Sequence, residues 1–183
     1  MLDDTLIIFT TDNGYFHAEH GLAGKWYPHQ ESIRVPLIVR DPRMPKDKIG
    51  KLNDDFTLSV DLAPTILGAA GIETPDVMQG RDFSVLYTGE GDTSPWRTEF
   101  FYEHPVHLKK EIIPASEALV RKDYKYMLWP NFDVEQFFDL KNDTFELTDL
   151  IKSEAHQKVI GEMRARFEEL KKLAGPHKLY EGE

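Results

Sequence analysis

A short apolar run that ends in a polar loop constrains this chain more than any other feature. Residues 5–11 contain the run Leu-Ile-Ile-Phe, and Asp12, Asn13 and Gly14 follow directly. A run of this kind predicts a strand buried on both faces, and open α/β sheets bind ligands at the carboxyl ends of such strands. The sequence therefore predicts an α/β fold with a ligand site in the loop that follows the strand.

The residue types of this loop, residues 12–32, indicate its chemistry. Asp12 and Asn13 offer the hard oxygen ligands that divalent cations such as calcium prefer. His20 can carry a proton near neutral pH, and Lys25 supplies a compact positive charge. Together these side chains predict a site that binds an anion beside a metal ion.

Each of these residues also fits an ordinary structural role. Asp-Asn-Gly forms Asx turns after many strands, with Gly14 free to adopt a positive φ. A histidine or a lysine in a loop often has no catalytic task. We reject a zinc site built from His17, His20 and His29, because their spacing does not match the helical His-Glu-x-x-His pattern and the loop is rich in glycine. The residue types alone leave a functional site and a plain loop both open.

Composition narrows the classes of partner. The net charge of −10 and the pI near 5.2 argue against nucleic acid, whose phosphates require a basic surface. The chain has no cysteine, which excludes disulfides, thiolate metal sites and a cysteine nucleophile within it. No apolar run is long enough to span a bilayer, so we expect no membrane partner. No secretion signal is recognisable at the N-terminus, and the compartment cannot be read from these residues.

The distribution of predicted elements indicates two parts, residues 1–95 and residues 96–183. In the first part we predict a second strand over residues 33–40 and a helix over residues 57–70, with Asp61 as the cap of its regular portion. In the second part we predict a small antiparallel sheet covered by an amphipathic C-terminal helix, the usual solution for an α+β layer. Its predicted strands and helix are residues 99–103, 116–121, 124–129, 136–140 and 153–174.

Short motifs lie in order along almost the whole chain. They are Thr11-Asp12-Asn13-Gly14, Ala18-Glu19-His20-Gly21, Gly24-Lys25-Trp26 and residues 31–39, followed by residues 60–65, 78–81, 138–140 and 145–150. In this order they resemble the sulfatase family of the alkaline-phosphatase-like superfamily. They look most like N-acetylglucosamine-6-sulfatase-like enzymes, which act on sulfated sugars. The resemblance implies the C-terminal part of an alkaline-phosphatase-like α/β sandwich, plus the small antiparallel sheet with its C-terminal helix.

The resemblance also implies roles for individual residues. Asp12 and Asn13 match two of the four calcium ligands of the family, and Lys25 matches a ligand of the sulfate oxygens. His20 matches a residue that contacts the sulfate or protonates the leaving sugar oxygen. His104 follows a predicted strand of the second part, where it would read the sugar if that edge faces the cleft; the alternative is an ordinary polar strand end.

Two family elements are missing from the chain. The family's nucleophile, a formylglycine made from the Cys or Ser of a Cys/Ser-x-Pro-x-Arg motif, has no counterpart here, and neither has the aspartate pair of the first family strand. We therefore expect a C-terminal portion of a sulfatase that is inactive alone and binds calcium weakly or not at all. The family implies a sulfated small molecule or glycan as substrate and a periplasmic, extracellular or lysosomal location.

Two alternatives remain open, and one structural consequence can be tested. The same loop suits a phosphate or phosphonate ester hydrolase of the superfamily, or a non-catalytic binding or assembly module. If the first strand lacks neighbours, apolar side chains around it should be exposed and should favour self-association through the strand edge. The side chains in question are Ile7, Phe9, Leu37 and Val39.

Overall fold

The structure, a computed structural model, describes residues 2–92 and 94–175. Within this part of the chain no helix has the length and apolar character needed to cross a membrane. The strands are β1 (Ile7–Thr10), β2 (Phe16–His17), β3 (Ala23–Gly24), β4 (Leu37–Arg40), β5 (Glu99–His104), β6 (Ser116–Arg121), β7 (Tyr124–Trp129) and β8 (Val134–Asp139). The α-helices are α1 (Gln30–Ile33), α2 (Leu62–Ala69), α3 (Val85–Thr88) and α4 (Gln157–Ala174).

Two compact units divide the chain. The first comprises the described residues of 1–12 and 36–97, and the second comprises residues 13–35 and the described residues of 98–183. The loop after β1 therefore belongs by its contacts to the second unit, although it precedes most of the first unit in sequence. The predicted boundary between a catalytic portion and a subdomain lies at residues 95–96. Compact units are defined by contacts and do not test a domain boundary of the family, so this boundary stays a prediction.

The strand pair of the first unit is small and only partly covered. Strand β1 pairs antiparallel with β4, and Ile7 lies opposite Arg40. Within residues 2–92 and 94–175, β4 is the only strand paired with β1. Phe9 is 60% exposed and Ile38 is 63% exposed. The prediction that β1 is buried on both faces was therefore wrong for this chain, because two short strands cannot cover their own faces.

The expected exposure around β1 is present on part of the strand pair. Ile7 and Phe9 are exposed, as predicted, whereas Leu37 and Val39 are half-buried, so the expectation for these two was wrong. The second strand also begins later than predicted, at Leu37, because Ile33 ends helix α1. Self-association through this edge stays a prediction.

Asp61 occupies the predicted N-cap position of helix α2, but its side chain does not cap that helix. Helix α2 begins at Leu62, after a 3₁₀ turn over Ser59–Asp61, and no side chain caps its first turn. The buried Asp61 carboxylate instead forms an ion pair with Arg97 and accepts a hydrogen bond of 2.8 Å from the Arg81 backbone N–H. A carboxylate without access to water requires such partners, and here they link α2 to later segments of the first unit.

The second unit contains the predicted antiparallel sheet with its C-terminal helix. Its four strands follow the order β5-β6-β7-β8, each antiparallel to its neighbour, and β6 and β7 have the predicted bounds. Helix α4 begins at Gln157, after a 3₁₀ turn over Glu154–His156 that the prediction had included in the helix. The helix and the sheet enclose a core whose members are fully or almost fully buried: Leu119, Tyr126, Phe137, Ile160, Met163 and Phe167.

Candidate functional site

A compact hairpin opens the loop that the sequence singles out. Strands β2 and β3 pair antiparallel, and the residues between them include His20 with a φ of 55°. The N–H of Gly14 donates to the carbonyl oxygen of Ser32 at 2.8 Å. A Cβ at Gly14 would lie 1.9 Å from the Glu31 carbonyl oxygen, so only glycine fits. Close approach of two backbone segments, and not the predicted positive φ, is thus what requires Gly14.

Two of the predicted site residues meet directly. The Lys25 ammonium donates to the Asn13 side-chain oxygen Oδ1 at 2.7 Å, and the Asn13 Nδ2 donates to the Gly14 carbonyl oxygen at 2.7 Å. The Lys25 Nζ also lies 5.0 Å from the centroid of the Trp26 ring. The positive charge is therefore held in one place on the loop by an amide dipole and an aromatic face.

Asp12 and Asn13 fit calcium as oxygen donors, but only as part of a site. Asp12 is the last residue of the first segment of the first unit, and its carboxylate accepts a hydrogen bond of 3.2 Å from the Thr11 hydroxyl. Calcium takes six to eight oxygens. In residues 2–92 and 94–175, no group of three or more histidine or acidic side chains is placed to hold a metal ion. The two side chains are suited to supply two ligands, and the rest of a calcium shell would have to come from elsewhere.

His20 faces an acidic partner inside the loop. Its Nε2 lies 3.4 Å from the Glu31 Oε2, and both side chains are largely enclosed, with relative exposures of 13% and 16%. The His20 ring also lies 4.4 Å from the His29 ring, centroid to centroid. The His20 Nε2 and the Glu31 Oε2 lie within ion-pair distance without forming a hydrogen bond, so Glu31 is the acidic neighbour of the imidazole.

His29 is buried among aromatic rings of the second unit. It is 6% exposed and packs against the rings of Phe16 and Phe138. Its Nδ1 is buried and makes no hydrogen bond to any described residue. Burial, followed by the nearby His20 and Lys125 charges, lowers the pKa of His29 to about 3. His29 is therefore neutral at physiological pH and belongs to the packing of the loop.

Trp26 connects the loop to the predicted sugar-reading residue His104. The Trp26 carbonyl oxygen accepts hydrogen bonds from the Tyr102 hydroxyl at 3.2 Å and the Ser116 hydroxyl at 3.3 Å. The indole ring lies 5.5 Å from the His104 ring and stacks on His107 at 5.1 Å. Burial lowers the pKa of His104. The structure thus places His104 beside the segment that carries Lys25.

Sequence reasoning missed one polar cluster beneath the loop. Lys125 and Glu146 form a salt bridge of 2.6 Å, and neither side chain is exposed. The Lys125 Nζ donates to the Pro28 carbonyl oxygen, and the Gln30 backbone N–H donates to the Glu146 carboxylate, each at 2.7 Å. The only local signal was a lysine between two tyrosines in a predicted strand, where an alternating pattern allows an inward charge.

The fold defines the class: it is shared with sulfatases and with phosphonate monoester hydrolases. A solved structure described as being in complex with its substrate D-glucosamine-2-N,6-O-disulfate shares the fold, with a TM-score of 0.85 and 27% identity over 97% of this chain and 36% of that chain. The phosphonate monoester hydrolase of Agrobacterium radiobacter has a TM-score of 0.79 and 26% identity over 93% of this chain and 36% of that chain. These similarities confirm the predicted fold class.

Sequence comparison identifies the family. Residues 18–173 match the model of the N-sulphoglucosamine sulphohydrolase C-terminal family, and the chain belongs to that family. It is 30% identical to the N-acetylglucosamine-6-O-sulfatase of Bacteroides thetaiotaomicron over 93% of this chain and 31% of that protein. It is 33% identical to the arylsulfatase of Clostridium perfringens over 98% of this chain and 36% of that protein. The predicted family is confirmed, and the chain spans about a third of the length of these relatives.

Proposed function

We propose that this chain forms part of an enzyme that hydrolyses sulfate esters, with a sulfated carbohydrate as substrate. One observation carries the proposal: the Lys25 ammonium is held 2.7 Å from Asn13 Oδ1 in the loop whose residues resemble the sulfate site of the family. A sulfate ester is an anion, and a positive charge fixed in advance can bind its oxygens without further reorganisation. The relative that is named for N-acetylglucosamine-6-O-sulfate supports a sugar as the substrate class.

Lys25 has the clearest chemical role in this proposal. When the ester bond breaks, negative charge shifts toward the leaving oxygen, and an ammonium beside the sulfate group stabilises that charge. Asp12 and Asn13 would supply two oxygen ligands to a calcium ion, which when bound would neutralise further sulfate charge. His20 would protonate the leaving sugar oxygen, with Glu31 as its acidic neighbour at 3.4 Å.

The nucleophile is proposed to lie outside this chain. The chain has neither a cysteine nor a Ser-x-Pro-x-Arg motif from which a formylglycine is made. We therefore propose that the chain alone has no sulfatase turnover. His104, beside Trp26, is the proposed contact to the sugar. Relatives named as extracellular sulfatases in Drosophila melanogaster and Caenorhabditis elegans support a location outside the cytoplasm.

The phosphonate ester hydrolases are the one alternative that a specific observation favours. Their fold similarity to this chain is close to that of the sulfatases, with a TM-score of 0.79 for the enzyme from Agrobacterium radiobacter. Phosphonate monoesters resemble sulfate monoesters in shape and charge, so Lys25 suits either group. The relative rates on a sulfate ester and a phosphonate ester therefore decide between the two functions.

The test compares two proteins. One is the 183-residue chain, and the other is a longer protein that also contains the residues encoded directly upstream of it. We expect the longer protein to hydrolyse N-acetylglucosamine-6-sulfate and 4-nitrophenyl sulfate faster than a phenyl phosphonate ester, and the shorter chain to hydrolyse none. Lys25→Ala should lower kcat/KM by about 10²–10³-fold, as loss of a charge-stabilising group does. Lys141→Ala removes an exposed turn lysine and should leave the rate unchanged.

Three outcomes would contradict the proposal. A preference for the phosphonate ester would favour the alternative hydrolase. Turnover by the 183-residue chain would show that it holds its own nucleophile. A longer protein that binds sulfated sugar without turnover would favour the non-catalytic binding module.

A further inference from the structure

The salt bridge between Lys125 and Glu146 is the most deeply buried ion pair in the described part of the second unit. Lys125 lies on β7, in the middle of the sheet, and Glu146 follows β8 with a φ of 54°. Neither side chain is exposed to solvent, and their charged atoms lie 2.6 Å apart. Nothing in the proposed chemistry uses either residue.

Both residues hold the backbone of the loop. Lys125 Nζ donates to the Pro28 carbonyl oxygen, and a Glu146 carboxylate oxygen accepts from the Gln30 N–H, each at 2.7 Å. Tyr102 and Ser116 of the sheet donate hydrogen bonds to the carbonyl oxygen of Trp26, two residues before Pro28. The sheet and the turn after β8 therefore contact the loop backbone at alternate residues, 26, 28 and 30, directly between Lys25 and Glu31.

Stability alone gives a weak reason for such a pair. Removing two charges from water costs several kcal/mol per ion, and well-packed apolar residues of similar volume often replace a buried pair at no loss of stability. What apolar residues cannot do is hydrogen-bond the Pro28 carbonyl and the Gln30 N–H, which would be left buried and unsatisfied. The specific contribution of the pair is therefore to the conformation of the loop.

We propose that Lys125 and Glu146 are positioning residues that hold residues 25–31 so that the Lys25 ammonium stays beside Asn13 and the Glu31 carboxylate stays beside His20. Lys125 lies 97 residues from Pro28 and Glu146 lies 116 residues from Gln30 in the sequence, so the pair connects the loop to distant parts of the second unit. The positions of Lys25 and of the His20–Glu31 contact then depend on two residues that touch no substrate. The function served by this positioning rests on the proposed sulfatase activity, whereas the positioning itself does not.

A matched control exists in the same sheet. Glu117 on β6 is also fully buried and pairs with Lys171 of α4 at 2.7 Å, but this pair joins the sheet to the helix. Glu117→Gln and Glu146→Gln are thus the same chemical change to a buried, ion-paired glutamate. Of the two glutamates, Glu146 is the one that accepts the hydrogen bond from the Gln30 N–H of the loop.

The experiment measures amide hydrogen exchange by mass spectrometry on the 183-residue chain and its variants. Loss of a charged hydrogen bond of this kind corresponds to about tenfold or more in a local opening equilibrium. In Glu146→Gln we expect peptides covering residues 25–31 to exchange about tenfold faster, while β6 and β7 keep their protection. In Glu117→Gln we expect residues 25–31 to exchange at the wild-type rate. Equal effects of the two variants, or an unchanged loop in Glu146→Gln, would overturn the inference.

A second variant covers the case in which Glu146→Gln does not fold. The double substitution Lys125→Met with Glu146→Leu removes both charges and keeps the site apolar, which preserves the sheet and still frees the loop. A folded double variant with full protection at residues 25–31 would overturn the inference.

Activity of the longer protein separates this inference from the proposed function. We expect Glu146→Gln to lower kcat/KM for the sulfate ester by the factor by which the fraction of molecules with a closed loop falls, a fraction that the exchange data supply. A loop that loosens in a protein without sulfatase activity would contradict the proposed function and keep the positioning role. A loop that stays protected in an active enzyme would contradict the positioning role alone.

Discussion

The two units of this chain differ in how completely they enclose their own apolar side chains. In the second unit Leu119, Phe137 and Phe167 are fully buried between a four-stranded sheet and α4. In the first unit Phe9 and Ile38 lie on a two-stranded sheet and are more than half exposed. Similar apolar strand sequences therefore reach opposite degrees of burial in one chain.

This difference shows which of the two units carries the candidate site residues. A sheet of four strands with a helix on it can form a core, whereas two short strands cannot bury both of their faces. Of the predicted site residues, Asn13, His20, Lys25 and His104 belong to the unit with the closed core, and Asp12 belongs to the other. Four of the five predicted site residues therefore belong to the better packed unit.

The largest expected effect concerns the core of the second unit. Phe167 is fully buried and packs against Phe101 and Tyr126. Phe167→Ala should lower the free energy of unfolding by about 3–5 kcal/mol, because it removes apolar contacts and leaves a cavity. Urea denaturation followed by circular dichroism measures the change. Phe9→Ala is the control and should change the free energy by less than about 0.5 kcal/mol; equal losses in the two variants would refute the contrast between the units.

An intermediate effect concerns acid stability of the loop. The pKa of His29 is lowered from 6.5 to about 3 in the folded chain, so the unfolded chain binds more protons between these values. Stability therefore falls as the pH drops below about 6.5 and this contribution levels off below about 3. The loss at pH 4.5 relative to pH 7 should be on the order of 2 kcal/mol.

The variant His29→Phe isolates this contribution from that of the carboxylates. It keeps a ring in the pocket but cannot titrate, so its stability should fall by about 2 kcal/mol less than that of the wild type over the same pH interval. Thermal unfolding at both pH values measures the difference. Parallel losses in the wild type and in His29→Phe would show that His29 does not sense acid.

The smallest expected effect on stability concerns the strand pair of the first unit. Ile38→Thr should change the free energy of unfolding by no more than about 0.5 kcal/mol, because the side chain is already in water. It should nevertheless weaken self-association, measured by analytical ultracentrifugation, if exposed apolar strands drive it. Ile72→Thr changes an equally apolar exposed residue outside the strands and should not weaken it. The same association constant for both variants and the wild type would contradict a role for the strand edge.

Local sequence patterns predicted the second unit well. The strands Ser116–Arg121 and Tyr124–Trp129 and the stripe of Ile160, Met163 and Phe167 follow from alternation and helical spacing. Such patterns suffice here because each element turns one apolar face to a core made by its neighbours. The same reasoning failed for β1, whose burial depends on partners that a short strand does not itself encode.

The sequence by itself determined the family, the elements of the second unit and the presence of Asn13, His20 and Lys25 in one loop. Their motifs are local, so their order along the chain is visible without a structure. Only the tertiary structure showed that Lys125 and Glu146 hold that loop at Pro28 and Gln30. The reason is physical: partners about a hundred residues apart meet only through the register of the sheet and the turn after β8, and no local preference specifies that meeting.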